Sequence, residues 1–457
     1  MMLGLKKEAI KVSGGGVKTY SFHTFGIKKR GAYVLEGRDA LNCNCKDGRL
    51  KGGIGVKAYA DSSGDKIPVS ITQENASVFV TTSNTDASPT PKRQVYLVDQ
   101  NGYLYWRNPS TNKAEQKLFL GPGVDHCVLK TESGRIYNIF VGTADIAITK
   151  DGTSFTSQLL DGLRGGCIAG KRLITARYNG EIRYSKVFEP FAASSSDPDG
   201  SGIIYMPPGY GEVVGIKEYG GEVYVFCERG IFRMAVFAKA SDFTLKNIPY
   251  NGGNICLRSM VVSGKGIVFL ASDGAYCVNG DSVKRICEHL PIGPCDVHQL
   301  CATGYGNGFV MIDYARKMQT GAEGKRIVID TDCEDGFFAN AYGALGGNEY
   351  THGLSEVCIF TQDDVNVRRG QTPYFTSVPL DFGTKKNKRL KTLRLQGDGQ
   401  ITVTIRCGDV EQSYSLSFID GVAQTRLTGK GKAVTLTFQL HPWAVVEDVE
   451  IDYIVEK

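Results

Sequence analysis

The sequence predicts an all-β protein in which one two-stranded hairpin recurs along the chain. The hairpin is clearest at residues 220–234, where β-branched and aromatic residues lead into a turn ending at Gly230 and a second apolar run follows. Composition favours the same class, because the chain holds 56 glycines, 22 tyrosines and 21 phenylalanines but only 15 prolines. Stretches with helical apolar periodicity are few and short.

The spacing of the repeat predicts a β-propeller. Related hairpins begin at Lys92, Gly170 and Gly264, and the turn glycines are spaced 40, 38, 50 and 44 residues apart. Several strands in each period of this length are typical of propeller blades. With two weaker units, at 308–330 and 357–367, the count is six or seven blades. In the four aligned copies we expect the turn glycine to supply a positive φ; these glycines are Gly102, Gly180, Gly230 and Gly274. Gly142 marks the bend of a further hairpin.

The chain divides into three predicted segments. Residues 1–56 lack the repeat and are predicted to form an N-terminal arm with the first strands, and within them the glycine-rich stretch 44–55 is a loop or packing strap. Residues 57–370 form the propeller, with projecting loops at 188–202 and 319–324. Residues 371–457 alternate apolar and polar positions in about five strands, which predicts a C-terminal β-sandwich.

Charge does not indicate a nucleic-acid-binding protein. The 53 basic and 48 acidic residues leave a net charge of +5, nearly balanced for 457 residues. The longest basic run, 385–389 with Lys391 and Arg394, is interpreted as a solvated loop or a lysine-protected edge strand, with a phosphate-binding patch as the alternative. The N-terminus lacks the apolar stretch of a secretory signal, and no run of about 18 apolar residues predicts a membrane span.

The cysteines indicate reduced thiols. All 13 are scattered, the closest pair is Cys43 and Cys45, and no Cys or His group has zinc-site spacing. An odd number without framework spacing favours assembly in a cytoplasm. We therefore expect no metal and no cofactor.

A search for catalytic motifs predicts a protein that is not an enzyme. Residues 165–171 match the G-x-x-x-x-G-K spacing of a phosphate loop, but Arg172 replaces the required Ser or Thr and the segment opens a strand, so the match is attributed to chance. The six histidines are dispersed. No catalytic, cofactor-binding or metal-binding residue is predicted.

One acidic cluster leaves two interpretations open. Alternate carboxylates before Gly336 match the start of a calcium loop, but the glycine falls one place late and no terminal Glu follows, which favours an acidic turn. The cluster consists of Asp330, Asp332, Glu334 and Asp335.

Residues 149–155 resemble the Asp-box of sialidase-type propellers, with Thr149, Asp151, Gly152 and Phe155 in the motif positions. One residue is missing and Phe replaces Trp. The resemblance implies a structural hairpin turn and no hydrolytic role. A propeller glycosidase would additionally need paired carboxylates on the axial face.

Three stretches resemble propeller proteins of tailed phages. They are the pattern N-x-x-x-G-R-L-K-x-x-x-G at residues 44–55, the run V-x-G-I-x-x-Y-x-G-x-x-Y-V-F-x-x-x-G-I-F-R at 213–233, and F-L-x-x-D-G-x-Y-x-x-x-G at 269–280. The proteins that carry such patterns are tail nozzle or tail stabilisation (head-to-tail) proteins.

The resemblance implies a structural virion protein that forms a ring below the portal-adaptor complex, retains packaged DNA and forms part of the ejection channel. Its expected partners are further copies of itself in a hexamer, the head-to-tail adaptor and other tail proteins, with DNA passing through the lumen without sequence-specific contact. The expected location is the virion tail, assembled in the bacterial cytoplasm. The alternatives are a propeller-based baseplate or receptor-binding tail protein that docks host glycans or proteins through residues 188–202 and, less favoured, a propeller glycosidase.

Overall fold

The computed structural model describes residues 17–27, 34–52 (without 42, 46 and 47), 56–58, 77–98 (without 86–87), 101–331 (without 112, 122, 192–199, 238, 289, 291–294, 306–308 and 319–320), 334–340, 357–359 and 373–456 (without 442–443). The chain forms two compact units. Unit 1 comprises residues 1–55, 337–340 and 369–457, and unit 2 comprises residues 56–336 and 341–368.

The chain begins with strands that belong to unit 1, followed by the first strand of unit 2. They are β1 (Val17–Phe22), β2 (Thr24–Ile27), β3 (Val34–Leu41), β4 (Cys43–Asn44), β5 (Leu50–Gly52) and, in unit 2, β6 (Val56–Ala58).

Six four-stranded antiparallel sheets follow in the described residues, each built from four consecutive strands paired in chain order. Blade 1 is β7 (Ser77–Thr85), β8 (Ser88–Val98), β9 (Tyr103–Asn108) and β10 (Lys113–Phe119); blade 2 is β11 (Asp125–Lys130), β12 (Ile136–Val141), β13 (Asp145–Thr149) and β14 (Phe155–Leu159); blade 3 is β15 (Leu163–Ala169), β16 (Arg172–Arg177), β17 (Glu181–Tyr184) and β18 (Gly202–Tyr205). Blade 4 is β19 (Val213–Tyr219), β20 (Glu222–Cys227), β21 (Gly230–Ala235) and β22 (Thr244–Ile248); blade 5 is β23 (Val261–Ser263), β24 (Gly266–Ala271), β25 (Gly274–Asn279) and β26 (Ser282–Ile286); blade 6 is β27 (Cys295–Tyr305), β28 (Phe309–Met318), β29 (Gly321–Asp330) and β30 (Asp335–Asn340).

The remaining strands are β31 (Val357–Ile359) and the C-terminal set β32 (Tyr374–Ser377), β33 (Lys388–Asp398), β34 (Gln400–Cys407), β35 (Val410–Ser417), β36 (Val422–Arg426), β37 (Lys430–Gly431), β38 (Val434–Leu440) and β39 (Val445–Val455). A 3-10 turn lies at Ala240–Asp242. No helix in these ranges is long and apolar enough to cross a membrane.

Consecutive blades pack face to face, which makes unit 2 a β-propeller. Each hydrophobic core is shared by two neighbours: Phe79 and Tyr96 of blade 1 pack with Phe140 of blade 2, and Val223 of blade 4 packs with Ile174 of blade 3. The predicted all-β propeller is therefore confirmed. In addition to the six blades, β6 and β31 pair in parallel as a two-stranded sheet.

The repeated hairpin is the pair of middle strands of a blade. The copies at 92, 170, 220 and 264 correspond to β8–β9, β16–β17, β20–β21 and β24–β25. In β20, Val223 and Val225 enter the core shared with blade 3, while Tyr224 and Phe226 enter the core shared with blade 5. A middle strand is thus buried on both faces, and its sequence is a continuous apolar run for that reason.

The glycines that mark the hairpins are required for two different reasons. Gly102 and Gly180 have φ values of +90° and +87°, as expected for turn positions. Gly230 has no positive φ; a Cβ there would lie 2.4 Å from Cδ1 of Tyr210. At Gly142 a Cβ would lie 2.1 Å from the carbonyl oxygen of Leu120. The prediction of a positive φ was wrong at Gly230 alone among the four copies; close packing, and not φ, is what requires a glycine at Gly230 and Gly142.

Unit 1 is a two-sheet β-sandwich to which both ends of the chain contribute. One sheet has the order β36-β33-β39-β5-β4, with β1 also paired to β39 and β37 to β33. The other has the order β2-β3-β32-β38-β34-β35. The five strands expected at the C-terminus lie within β33, β34, β35, β38 and β39. The sequence treats residues 1–56 and 371–457 as separate segments, whereas the structure joins their strands in both sheets.

Side chains of the two chain ends reinforce this pairing. Arg394 on β33 donates to Glu450 (2.9 Å) and Asp452 (2.6 Å) on β39, and Thr19 on β1 donates to the other oxygen of Asp452 at 2.6 Å. In the core, the ring of Phe25 meets Phe375 and Phe438 edge-on, with centroids 5.6 and 5.8 Å apart. The N-terminal strands are therefore part of the sandwich core.

Two segments differ from their predictions: the basic run, expected to be a solvated loop or a lysine-protected edge strand, and the projecting loop at 319–324. Within the basic run, Lys388 is fully buried and its ammonium donates to the carbonyls of Thr384, Lys386 and Lys432 at 2.7, 3.0 and 2.5 Å. Desolvation lowers the pKa of Lys388. In the segment expected to project at 319–324, residues 321–324 belong to β29. Three carbonyl partners, of which only that of Lys432 is distant in sequence, account for the first difference, and antiparallel pairing of residues 321–324 with β28 accounts for the second.

We expect Phe25→Ala to destabilise unit 1 by about 3–5 kcal/mol, because it opens a cavity among Phe25, Phe375 and Phe438. Hydrogen exchange of the β38 amides, which are more than 400 residues away in sequence, should accelerate accordingly. The exposed ring of Phe119 supplies the matched control, and Phe119→Ala should leave exchange unchanged. Equal exchange in both variants would contradict a core shared by the two chain ends.

Blade packing should weaken in mild acid because of His126. Its ring lies between Phe79 and Phe140, contacts Asn138 at 3.1 Å, and burial lowers its pKa to about 4. Between pH 4 and 6.5 the unfolded chain binds a proton that the folded chain excludes, so the unfolding free energy decreases as pH falls through this window, by on the order of 3 kcal/mol. Urea denaturation at several pH values should show a weaker pH dependence of the unfolding free energy in His126→Phe and an unchanged one in His441→Gln. An unchanged pH dependence in His126→Phe would disprove the role of His126.

Candidate functional site

Cys227 and Arg229 lie at the turn of the hairpin at 220–234, where a thiol and a guanidinium come close together in sequence. Cys227 at the end of β20 is buried, and desolvation raises its pKa to about 11, which keeps the thiol protonated. The neighbouring Arg229 donates to the carbonyl of Gly209 at 3.4 Å. The phosphate-loop-like segment forms β15 and the turn at Gly170 and Lys171, followed directly by β16. It has no helix N-terminus for a phosphate.

Arg172 has a structural role in blade 3. Its side chain is fully buried, and Nη1 donates to the carbonyls of Ser185 (2.8 Å) and Gly200 (2.7 Å). The guanidinium carbon also lies 5.8 Å from the ring centroid of Tyr184 and 5.9 Å from that of Phe243. Arg172 thus links the start of β16 to the residues that precede β18.

The acidic cluster is divided by the fold. Asp330 is buried at the end of β29, whereas Glu334 is exposed and pairs with Lys284 of blade 5. Asp332 lies outside the described residues. Within the described ranges, no group of three or more His, Cys, Asp or Glu side chains is placed to hold a metal ion.

The Asp-box-like residues form a rigid turn between β13 and β14. Oδ1 of Asp151 accepts from the backbone N–H of Thr153 (2.8 Å) and Ser154 (2.7 Å), and from the Thr149 hydroxyl at 3.1 Å. These bonds lower the pKa of Asp151 to about 2 despite partial burial. The Tyr96 hydroxyl of blade 1 donates to the carbonyl of Gly152 at 2.8 Å. The turn therefore fixes blade 2 against blade 1.

Beside this turn lies a groove of about 520 Å3. Blade 2 contributes Tyr137, Lys150, Ser154 and Phe155, and the turn after β17 of blade 3 contributes the segment 188–191. This segment is the described start of the loop predicted at 188–202, of which residues 192–199 lie outside the described chain. A volume between about 300 and 1,000 Å3 is typical of small-ligand sites.

Aromatic side chains dominate the groove, and charges of both signs border it. The rings of Tyr137, Phe155, Phe188 and Phe191 are all partly exposed. Lys150 is exposed with its ammonium 5.3 Å from the Tyr137 ring centroid, and Glu189 pairs with Lys186 at 3.1 Å. The sequence indicated the loop but not this aromatic lining, because Tyr137 and Phe155 come from strands of another blade.

Among the described residues that line the groove, the two carboxylates do not have the arrangement that glycoside hydrolysis needs. The Asp151 oxygen that accepts three hydrogen bonds is committed to the turn, and the low pKa keeps the carboxylate ionised. Glycoside hydrolysis needs a carboxylic acid of raised pKa opposite a second carboxylate. The other carboxylate at the groove, Glu189, is exposed and paired with Lys186.

Comparison with solved structures finds other β-propellers at low sequence identity. The chain is similar to the β-propeller domain of Cps50 (Swd1) from Myceliophthora thermophila, with a TM-score of 0.40, 9% identity, and coverage of 61% of this chain and 92% of that chain. It is also similar to BBS1N, solved in complex with ARL6DN (TM-score 0.37, 11% identity, 61% and 81% coverage). A third is a catalytically inactive virginiamycin B lyase from Staphylococcus aureus with quinupristin (TM-score 0.35, 11% identity, 65% and 96% coverage).

No protein-family profile and no curated protein sequence matches the chain. The assignment of the propeller rests on the sheet order and the shared cores of neighbouring blades.

We expect Asp151→Ala to destabilise blade 2 by about 1–3 kcal/mol, because two backbone N–H groups and one hydroxyl lose their acceptor. Since the pKa of Asp151 is lowered, the difference in unfolding free energy between the wild type and Asp151→Ala should be complete above about pH 4. It should decline as the pH falls towards 2. Urea denaturation at pH 7 measures the loss. The exposed Asp161 of the same region supplies the control Asp161→Ala; equal stability of the two variants would show that the turn does not depend on the carboxylate.

Proposed function

We propose that this chain is a structural protein of a tailed-phage virion, a tail nozzle or stabilisation protein that forms a ring below the portal-adaptor complex. In this role it retains packaged DNA and forms part of the ejection channel. The observation that carries the proposal is an unprotected apolar edge on blade 3, described next, together with the sequence resemblance to phage tail proteins.

The outer strand of blade 3 exposes large apolar side chains. On β18, Ile203 is 45% and Tyr205 is 67% exposed. The corresponding outer strands of blades 4 and 5 instead expose charged residues, such as Lys246 on β22 and Lys284 on β26. Charged side chains protect an edge strand against pairing with another chain. The edge of blade 3 lacks this protection and is suited to a contact with a neighbouring subunit.

The N-terminal pattern shared with the phage proteins has a structural purpose outside the blades. Gly48 has a φ of +77° and its N–H donates to the carbonyl of Cys45 at 3.1 Å, which forms the turn between β4 and β5. Leu50 is fully buried in the sandwich core, and Arg49 pairs with Glu447 at 3.1 Å. A propeller by itself does not require such a turn. The resemblance is therefore not limited to blade hairpins, and this supports the phage assignment.

The physical properties of the fold suit a ring wall. Blades packed face to face form a stiff unit with short sheet edges. Repeated head-to-tail contacts between identical subunits close into a ring when the rotation permits, and a hexamer is the proposed state. DNA would pass without sequence-specific contact, in line with the net charge of +5 on 457 residues. The proposed partners are the adaptor and other tail proteins, and the proposed location is the virion tail, assembled in the host cytoplasm.

The alternative is a receptor-binding or baseplate tail protein, and the aromatic groove is the observation that favours it. An enzymatic role has less support. In the described part of the chain, Asp151 stabilises a turn, and Glu189 and Glu334 pair with lysines.

Mass photometry of the purified chain should detect a closed ring of six copies, and electron microscopy should place that ring coaxially with the portal-adaptor complex. The double substitution Ile203→Lys with Tyr205→Lys should reduce the ring to smaller species, because lysines on an edge strand oppose pairing. Phe237 is 48% exposed and is not part of β18, so Phe237→Lys is the matched control and should assemble normally. A wild-type chain that stays monomeric and does not bind the portal-adaptor complex would refute the proposal.

A further inference from the structure

The groove beside the Asp-box-like turn has the properties of a ligand site that is independent of ring assembly. Its walls combine the partly exposed rings of Tyr137, Phe155, Phe188 and Phe191 with Pro190. Aromatic surfaces of this kind pack against flat, weakly polar groups. The C–H faces of a pyranose ring are such groups, whereas its hydroxyl edges require donors and acceptors at the rim.

The residues at the rim of the groove supply both hydrogen-bond donors and acceptors. Lys150 offers an ammonium donor, Ser154 offers a hydroxyl, and Glu189 offers carboxylate acceptors. Neither sign of charge dominates the rim, because Glu189 is paired with Lys186, and both Lys150 and Asp151 line the groove. A strongly anionic or cationic ligand would meet a like charge at this rim. A neutral polyhydroxyl ligand meets no like charge, and it can form hydrogen bonds with Lys150, Ser154 and Glu189.

The aromatic wall is pre-organised. Phe188 has a φ of +61°, which is strained for an aromatic residue, and its N–H donates to the carbonyl of Lys171 at 2.9 Å. The ammonium of Lys171 also lies 4.9 Å from the centroid of the Phe188 ring. Such backbone strain costs on the order of 1–3 kcal/mol and is concentrated at binding and catalytic sites. On the opposite wall, the hydrogen-bonded turn at Asp151 holds Phe155 in place.

We propose that this groove binds one or two pyranose rings of a neutral saccharide, with the sugar faces against Phe188 and Phe191 and the hydroxyl groups at Lys150, Ser154 and Glu189. The inference goes beyond the structural role proposed above and does not depend on it, since the groove lies within one copy of the chain. A proline-rich peptide is the other ligand that aromatic grooves accept. It would leave the mixed polar rim unused, so the saccharide is favoured.

The test is saturation-transfer NMR and titration calorimetry on the full chain with maltose, lactose, cellobiose and N,N′-diacetylchitobiose as probes, and a polyproline decapeptide as the competing probe. At least one saccharide should bind. Phe188→Gly should weaken that binding at least tenfold, because it removes the ring while a glycine adopts the positive φ without strain. Phe191→Ala should weaken it similarly, and Phe188→Tyr should retain it.

The control is Phe237→Ala, which removes a partly exposed ring outside the groove and should leave affinity unchanged. Thermal unfolding confirms that each variant is folded. The proposal is overturned if none of the four saccharides binds, if binding persists in both Phe188→Gly and Phe191→Ala, or if only the polyproline peptide binds and is lost in those variants. Ring stoichiometry, measured separately, tests the structural role without involving the groove.

Discussion

The burial of middle strands on both faces is the constraint on which unit 2 depends. In β20, alternate side chains enter two different cores, so a single blade has no solvated face for its middle strands. Full burial of each such side chain contributes about 1.5–3 kcal/mol, and only neighbouring blades can provide it. A four-stranded sheet of this composition is therefore stable only between two others, and repetition of the sheet follows from that requirement.

Because neighbouring blades bury each other's faces, polar side chains between blades 1 and 2 need hydrogen-bond partners there. Asn138 is fully buried, accepts from the Thr81 hydroxyl at 2.7 Å and donates to the carbonyl of Thr82 at 3.0 Å, both in blade 1. Tyr96 and Gly152 make a second polar contact between the same blades. A buried polar group without a partner would cost about 1–3 kcal/mol, so these pairs also specify which faces meet.

Unit 1 follows a different principle, in which the two ends of the chain complete one sandwich. Pairing β1 with β39 joins residues 17–22 to residues 449–454. The Arg394 network then connects β33, β39 and β1 across three neighbouring strands. The chain leaves the sandwich for the propeller and returns, so strands from both chain ends form one sandwich. The aromatic groove belongs to unit 2 alone, and its proposed ligand can be tested separately.

The sequence by itself determined the features that depend on neighbouring residues: the hairpins, their period of about 40–50 residues, the turns at Gly102 and Gly180, and the Asp-box-like turn. These are local because a few consecutive residues decide strand and turn conformation. Tertiary structure alone decided the pairing of the two chain ends, the burial of Lys388, the close packing at Gly230 and the aromatic groove. Each of these brings together side chains or backbone from separate strands and turns, and contacts of that kind leave no periodic pattern in the sequence.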